Sequence, residues 1–238
     1  MKRQEKKGIK IMKKFTAFTL SLVMAFSLAA CGSSSTSNDK AASPDQTDME
    51  YVKEKGTLVV GITEFEPMDY KDASGEWIGF DADMAKAFAE NLGVDVEFVE
   101  IDWDNKIIEL DSKTIDCVWN GMTLSDEVLS GMECSNAYCN NAQVVILPQD
   151  KADQYPDIKS LTDLSFAVEA GSAGEASARE NNLDYTALKA QSDTLMEVAA
   201  GTSDAAIIDS LMAGAMVGNG TSYADLTYTL KLSSEEYG

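Results

Sequence analysis

Histidine is missing from all 238 residues, which excludes Ser-His-Asp hydrolysis and removes the commonest metal ligand. The four cysteines include no Cys-x-x-Cys spacing, so neither a metal nor a cofactor is expected. Arginine occurs only as Arg3 and Arg179, and the side chain best shaped to clamp a carboxylate is therefore nearly absent. Positive charge is scarce altogether: 19 Lys and Arg face 40 Asp and Glu, a formal net charge of −21. Nucleic acid is a poor partner for such a surface. One long apolar run exists, Phe15 to Ala30, and it is short for a permanent membrane span.

What surrounds that run has the layout of a secretory signal. Seven Lys and Arg lie between Lys2 and Lys14, and Leu28-Ala29-Ala30-Cys31 closes the run as a lipoprotein cleavage box. Met12 is an alternative start, and an uncleaved anchor is the alternative fate of residues 1–30. Cleavage leaves a diacylated Cys31, which holds the domain on the extracellular face of the cell membrane. Residues 31–48 then read as a flexible tether, polar and Ser-rich. Residues 1–30 contain seven basic groups and one acid, Glu5, so their loss moves the net charge to −27. Cys117, Cys134 and Cys139 remain; a Cys134–Cys139 bridge and three neutral thiols both fit.

With 45% hydrophobic residues, the rest of the chain can bury a core. Thr57 to Ile62 is a continuous β-branched run, the pattern of a buried parallel strand. Asp81 reads as an N-cap to a helix with Met84, Ala85, Phe88, Ala89 and Leu92 at helical spacing, ended by Gly93. Strands follow at 94–101, 115–119 and 143–147, with a helix from Trp103 to Leu110. A second unit begins at Leu164, with helices at 173–181 and 194–200 and a strand at 205–208. The order implies an α/β fold with parallel-type sheets flanked by helices. The segments 49–146 and 147–228 are assigned to a first and a second lobe, and 229–238 to the start of a return crossing.

Residues 107–118 lie on residues 195–206 without a gap, which is either a weak internal repeat that makes Gly121 and Asp209 equivalent strand ends or chance similarity between two ordinary helix-strand units. In open parallel sheets ligands bind beyond the strand C-termini. Asn120, Gly121 and Thr123 offer an amide, an unobstructed backbone and a hydroxyl there, although a plain turn also uses Asn-Gly. Asp209 suits either a helix N-cap or a counter-ion for an ammonium. Phe65 and Trp103 suit a pocket wall or a core cap, and Glu64, Glu66 and Glu169 either acidify the crevice or are solvated.

Seven blocks in series carry a resemblance: G-T-L-V-V-G, E-F-E-P-M-D-Y, G-x-x-x-G-F-D-A-D-M-A, W-D-x-x-I, G-M-T-L-S-D-E, D-L-S-F-A-V-E-A-G-S and S-D-A-A-I-I-D. From about Gly56 to Gly238 the chain resembles the type II, family 3 extracellular solute-binding proteins of polar amino-acid ABC importers. The resemblance implies a monomer of two lobes that close on one small polar solute and present it to permease subunits. It implies that Phe65 and Trp103 contact the ligand side chain and that Gly121, Thr123 and Ser172 hydrogen-bond its carboxylate, with Asn120 and Gly171 as further ligand-binding candidates. Asp209 then pairs with its ammonium, and Glu169 helps select the side chain. A sensor and a dehydratase-like enzyme on the same fold are the competing functions.

Three departures stand against this pattern. Val128 occupies the place of the arginine that normally clamps the ligand's α-carboxylate. The usual Phe-Ser-x-Pro-Tyr-Tyr is replaced by Cys134-Ser135-Asn136-Ala137-Tyr138-Cys139. The chain also stops at Gly238, before the strand and helix that complete the first lobe in this family, so a C-terminal truncation is expected. Without the arginine, either amides and Lys106 compensate or the ligand is a cation lacking that carboxylate.

Overall fold

The computed structural model describes residues 46–238; the signal segment, Cys31 and most of the expected tether lie outside them. The first elements are α1 (Asp48–Lys55), β1 (Thr57–Ile62), a hairpin of β2 (Tyr70–Lys71) and β3 (Trp77–Ile78), α2 (Phe80–Leu92) and β4 (Asp95–Glu100). Then come α3 (Lys106–Asp111), β5 (Cys117–Val118), α4 (Asp126–Gly131), β6 (Cys139–Asn141) and β7 (Gln143–Pro148). The chain continues through β8 (Ser165–Glu169), α5 (Ala173–Glu180), β9 (Asp184–Leu188), α6 (Gln191–Ala200) and β10 (Ala205–Asp209). It ends with α7 (Ser210–Met216), β11 (Leu226–Lys231) and β12 (Glu235–Tyr237).

Two larger sheets hold eight of these strands. The first has the order β4-β1-β5 and is wholly parallel, Thr57 facing Asp95 and Val60 facing Cys117. The second has the order β11-β7-β10-β8-β9. Its β8, β9 and β10 are mutually parallel, whereas β7 runs antiparallel to both β10 and β11. The strand at 143–147, assigned by sequence to the end of the first lobe, therefore belongs to the second sheet. Parallelism is incomplete because β7 enters directly from the first lobe with no crossover helix to turn it round.

Side-chain alternation explains why β7 and β10 are apolar throughout. Val144, Ile146, Ala206 and Ile208 face one core, and Val145, Leu147, Ala205 and Ile207 face the other. Both faces of this sheet are covered, α5 and α6 packing on β8 and β10. In the first lobe, Leu58, Val60 and Ile62 meet Ala85 and Ala89 of α2.

Helix α2 differs from expectation in two ways. Its N-cap is Gly79, without a side-chain bond, and Asp81 sits inside the first turn, fully buried. Its buried face is Ala82, Ala85 and Ala89, while Phe80, Met84 and Phe88 form an exposed stripe. Small residues are on the inside because the helix lies close against the sheet.

Two strands cross between the lobes, and they pair with each other: β6 and β12 are antiparallel, Cys139 facing Tyr237 and Asn141 facing Glu235. This two-stranded ribbon connects the lobes. Cys117, Cys134 and Cys139 are all free thiols, so the Cys134–Cys139 bridge is not formed.

Candidate functional site

The C-terminal ends of β1, β5, β8 and β10 open onto one cleft of about 840 Å³. Phe65, Trp103, Asn120, Gly121, Thr123, Glu169, Gly171, Ser172 and Asp209 all line it. Glu64 and Glu66 do not. The internal repeat has its counterpart here: α3 leads to β5 and α6 to β10, so Gly121 and Asp209 both reach the cleft from equivalent strand ends.

The first-lobe wall is held by internal hydrogen bonds. Asn120 accepts from the Thr63 N–H (2.9 Å) and donates to Thr63 Oγ1 (2.8 Å), tying the ends of β1 and β5 together. The Gly121 N–H donates to Asp81 Oδ2 at 2.6 Å. Position 121 must be glycine, since its φ is +56° and an added Cβ would lie 2.6 Å from the Phe65 ring. Asp81 also accepts from the Tyr138 hydroxyl at 2.9 Å. Burial raises Asp81 to about 6, against the lowering effect of these bonds. Burial and the charge of Asp81 push the neighbouring Asp69 up to about 9, so Asp69 is the protonated member of the two at neutral pH.

Phe65 and Trp103 satisfy both readings made of them, being buried and lining the cleft at once. Phe65 meets Tyr237 edge-on at 6.2 Å. Trp103 packs with Met122 and Val128, and the Lys106 ammonium lies 4.8 Å from its ring centre. Val128 is thus an apolar, buried part of α4, and its N–H is capped by Ser125 Oγ.

On the second-lobe side, Ser172 caps α5, accepting from the Glu175 N–H (3.1 Å) and donating to the Glu169 carbonyl (2.8 Å). The Gly171 carbonyl accepts from Lys106 at 2.9 Å, a bond that crosses the cleft. Approach is close there, because a Cβ on Gly171 would lie 2.7 Å from Asp104 Cα. Asp102 and Lys189 add an exposed ion pair across the same gap at 2.9 Å.

Asp209 occupies the N-cap position of α7, but its carboxylate makes no cap. Oδ1 accepts from Asn141, from Gln143 (2.9 Å) and from Tyr237 (2.8 Å), and Oδ2 from Gln191 (2.6 Å). Burial raises Asp209 to about 6 in spite of these donors. Glu169 is 4% exposed, and its Oε1 has no hydrogen-bond partner. Burial and then the Asp209 charge push it up to about 8, offset in part by Gln191 and Lys106. Burial likewise draws Lys106 below its ordinary value.

Sequence reasoning missed a third carboxylate, Glu235. Its Oε2 accepts from Thr123 (3.0 Å), Gln143 (3.1 Å) and Asn141 (3.3 Å), and its Oε1 from Ser233 (2.6 Å). Gln143 and Asn141 are shared with Asp209, so the two carboxylates are held side by side. No local pattern marks Glu235, which reaches Thr123 across 112 residues of sequence. Asp81 carried a misleading signal, a carboxylate next to a helix start.

Residues 58–213 match the model of the bacterial extracellular solute-binding proteins, family 3. The arginine-binding extracellular protein ArtP of Bacillus subtilis (strain 168) is 28% identical over 208 residues, covering 85% of this chain and 75% of ArtP. The L-cystine-binding protein TcyA of the same organism is 29% identical over 228 residues, covering 95% of this chain and 76% of TcyA. Among solved structures, holo ArgBP from T. maritima superposes with a TM-score of 0.74 at 29% identity, covering 79% of this chain and 84% of that one. The ancestral amino acid-binding protein AncCDT-1, described as a precursor of cyclohexadienyl dehydratase, gives 0.73 at 30% identity, covering 81% and 84%. Two lobes with a cleft at their strand ends, and a family match over most of the described sequence, lead to one conclusion: this chain belongs to family 3 of the bacterial extracellular solute-binding proteins.

Proposed function

We propose that the protein captures a small polar solute, an amino acid or a related amine, in the interlobe cleft and presents it to the permease subunits of an ABC importer. The observation that carries this reading is the convergence of strand ends from both sheets on a single cleft of about 840 Å³, within the size range of small-molecule sites. Closure around the solute is the state a permease distinguishes from the open one, and the β6–β12 ribbon is the natural hinge. Relatives described as binding arginine and cystine support the substrate class. Leu28-Ala29-Ala30-Cys31 supports a lipid anchor, palmitate included, at the extracellular face of the membrane. We read the protein as a binder and not a dehydratase, because Asp209 and Glu235 are tied to internal donors in a way that suits holding a charge.

Mass spectrometry of the full chain and its co-purified solute tests the reading. The expected result is one small molecule released unaltered on denaturation. Chemical conversion of an added solute would replace the binder with an enzyme.

A further inference from the structure

Resting on the solute-binding reading, we infer that the solute is an organic cation without a free α-carboxylate, an amine of the agmatine or putrescine kind. Glu235 and Asp81 hold two of the donors that the resemblance assigns to an amino acid's carboxylate, the Thr123 hydroxyl and the Gly121 N–H.

Several donors at the strand ends are already used. The Gly121 N–H is bonded to Asp81, the Thr123 hydroxyl to Glu235 and the Ser172 hydroxyl to the Glu169 carbonyl. Asn120 is bonded on both sides of its amide to Thr63. Among the described residues, Lys106 and Arg179 are the bases lining the cleft. Lys106 donates to the carbonyls of Trp103 and Gly171, and Arg179 to Glu175. The remaining candidate, position 128, is an apolar side chain packed on Trp103. An α-carboxylate entering here finds no arginine at position 128, finds the Gly121 N–H and the Thr123 and Ser172 hydroxyls engaged, and meets Glu235 and Asp209 as like charges.

Acceptors show the opposite state. Glu169 is a buried carboxyl lining the cleft, with one oxygen lacking any partner. A buried acceptor left unsatisfied costs free energy that a ligand N–H recovers. The Asp209 charge acts on it, and Glu235 stands beside Asp209 through their shared donors, so negative charge is concentrated along the cleft. The Trp103 ring adds a face on which a cation or its methylenes can rest. A protonated amine supplies several donors and one charge, which is what the cleft lacks.

Calorimetric titration of the full chain at pH 8 with agmatine, putrescine, L-arginine and L-glutamate separates the possibilities. Agmatine and L-arginine share the guanidinium and differ by the α-carboxylate. Agmatine is expected to bind at least about tenfold more tightly, the scale of one charge-assisted contact. Glu169→Gln is expected to weaken agmatine by about tenfold or more, and Glu235→Gln to narrow the gap to L-arginine. L-Arginine or L-glutamate binding as tightly as agmatine overturns this inference and leaves the solute-binding reading intact. Failure of every amine and amino acid to bind overturns both.

Discussion

If a cation binds against Glu169, its affinity must depend on pH, and the size of the effect follows from the site. Burial, with the nearby Asp209, holds the carboxyl up to about 8, so at pH 7 the unliganded cleft carries Glu169 mainly as the neutral acid. The cation favours the ionised form, and binding must expel a proton. With one group near 8, the ionised fraction falls from half at pH 8 to roughly one in a hundred at pH 6, an approximately fiftyfold loss of affinity. Asp209, raised to about 6, begins to protonate at the low end and steepens the decline. Lys106 also faces Glu169, and its own deprotonation at high pH acts in the same direction, so Glu169→Gln is the control that separates them. Calorimetry at pH 7 in buffers of different ionisation enthalpy should report release of nearly one proton per agmatine bound, and Glu169→Gln should abolish it. Affinity that is flat from pH 6 to pH 8, or proton release that survives the substitution, would refute the assignment. Stability carries the same signature. A carboxyl raised in the fold contributes stability that is complete below its unfolded value near 4.5 and is lost as pH rises through about 8. The unliganded protein should therefore melt lower at pH 8 than at pH 6, and added cation should reverse the difference.

Gly171→Ala puts a methyl 2.7 Å from Asp104 Cα across the cleft; overpacking of about 1–3 kcal/mol should weaken solute binding roughly ten- to hundredfold. Small-angle scattering with saturating solute should show the variant more extended than the parent. Ile208→Ala empties a fully buried position at the centre of the second sheet and should cost about 2–5 kcal/mol in urea unfolding. The Cys117 thiol, pushed up to about 12 chiefly by burial, should resist iodoacetamide at pH 8 in the folded protein and react once urea unfolds it.

The legible parts of this protein are those written in local patterns. Apolar strands at 57–62 and 205–208 and the glycine ending the helix at Gly93 reflect burial and backbone sterics, which act over a few residues. The nine residues proposed for the site reach one cleft because the strand-end rule fixes where they emerge. What escaped was long-range. The exposed stripe of Phe80, Met84 and Phe88 looks like a buried face when periodicity alone is read. The strand at 184–188 leaves no clear sequence pattern because its polar, partly exposed residues have the pairing with β8 as their main support. Glu235 and Asp81 gained their roles from partners far away in sequence, Thr123 and Gly121.

The arrangement of the three carboxylates also decides how the cleft can exist without its solute. Like charges buried together repel, and the fold relieves this in two different ways. Asp209 receives four donors from Asn141, Gln143, Gln191 and Tyr237, which keeps it ionised to a lower pH than its neighbour. Glu169 receives less help and keeps its proton instead. Glu235 shares two of the Asp209 donors and binds the Thr123 hydroxyl from the other lobe. One carboxylate is thus a fixed charge, one joins the lobes, and one exchanges a proton for a cation. Replacing Val128 by arginine would not convert such a site to an ordinary amino-acid cleft. The new guanidinium would enter the apolar contact of Trp103 and Met122, and the Gly121 and Thr123 donors would still be held by Asp81 and Glu235. Specificity here resides in the whole hydrogen-bond assignment of the cleft, and position 128 is one part of it.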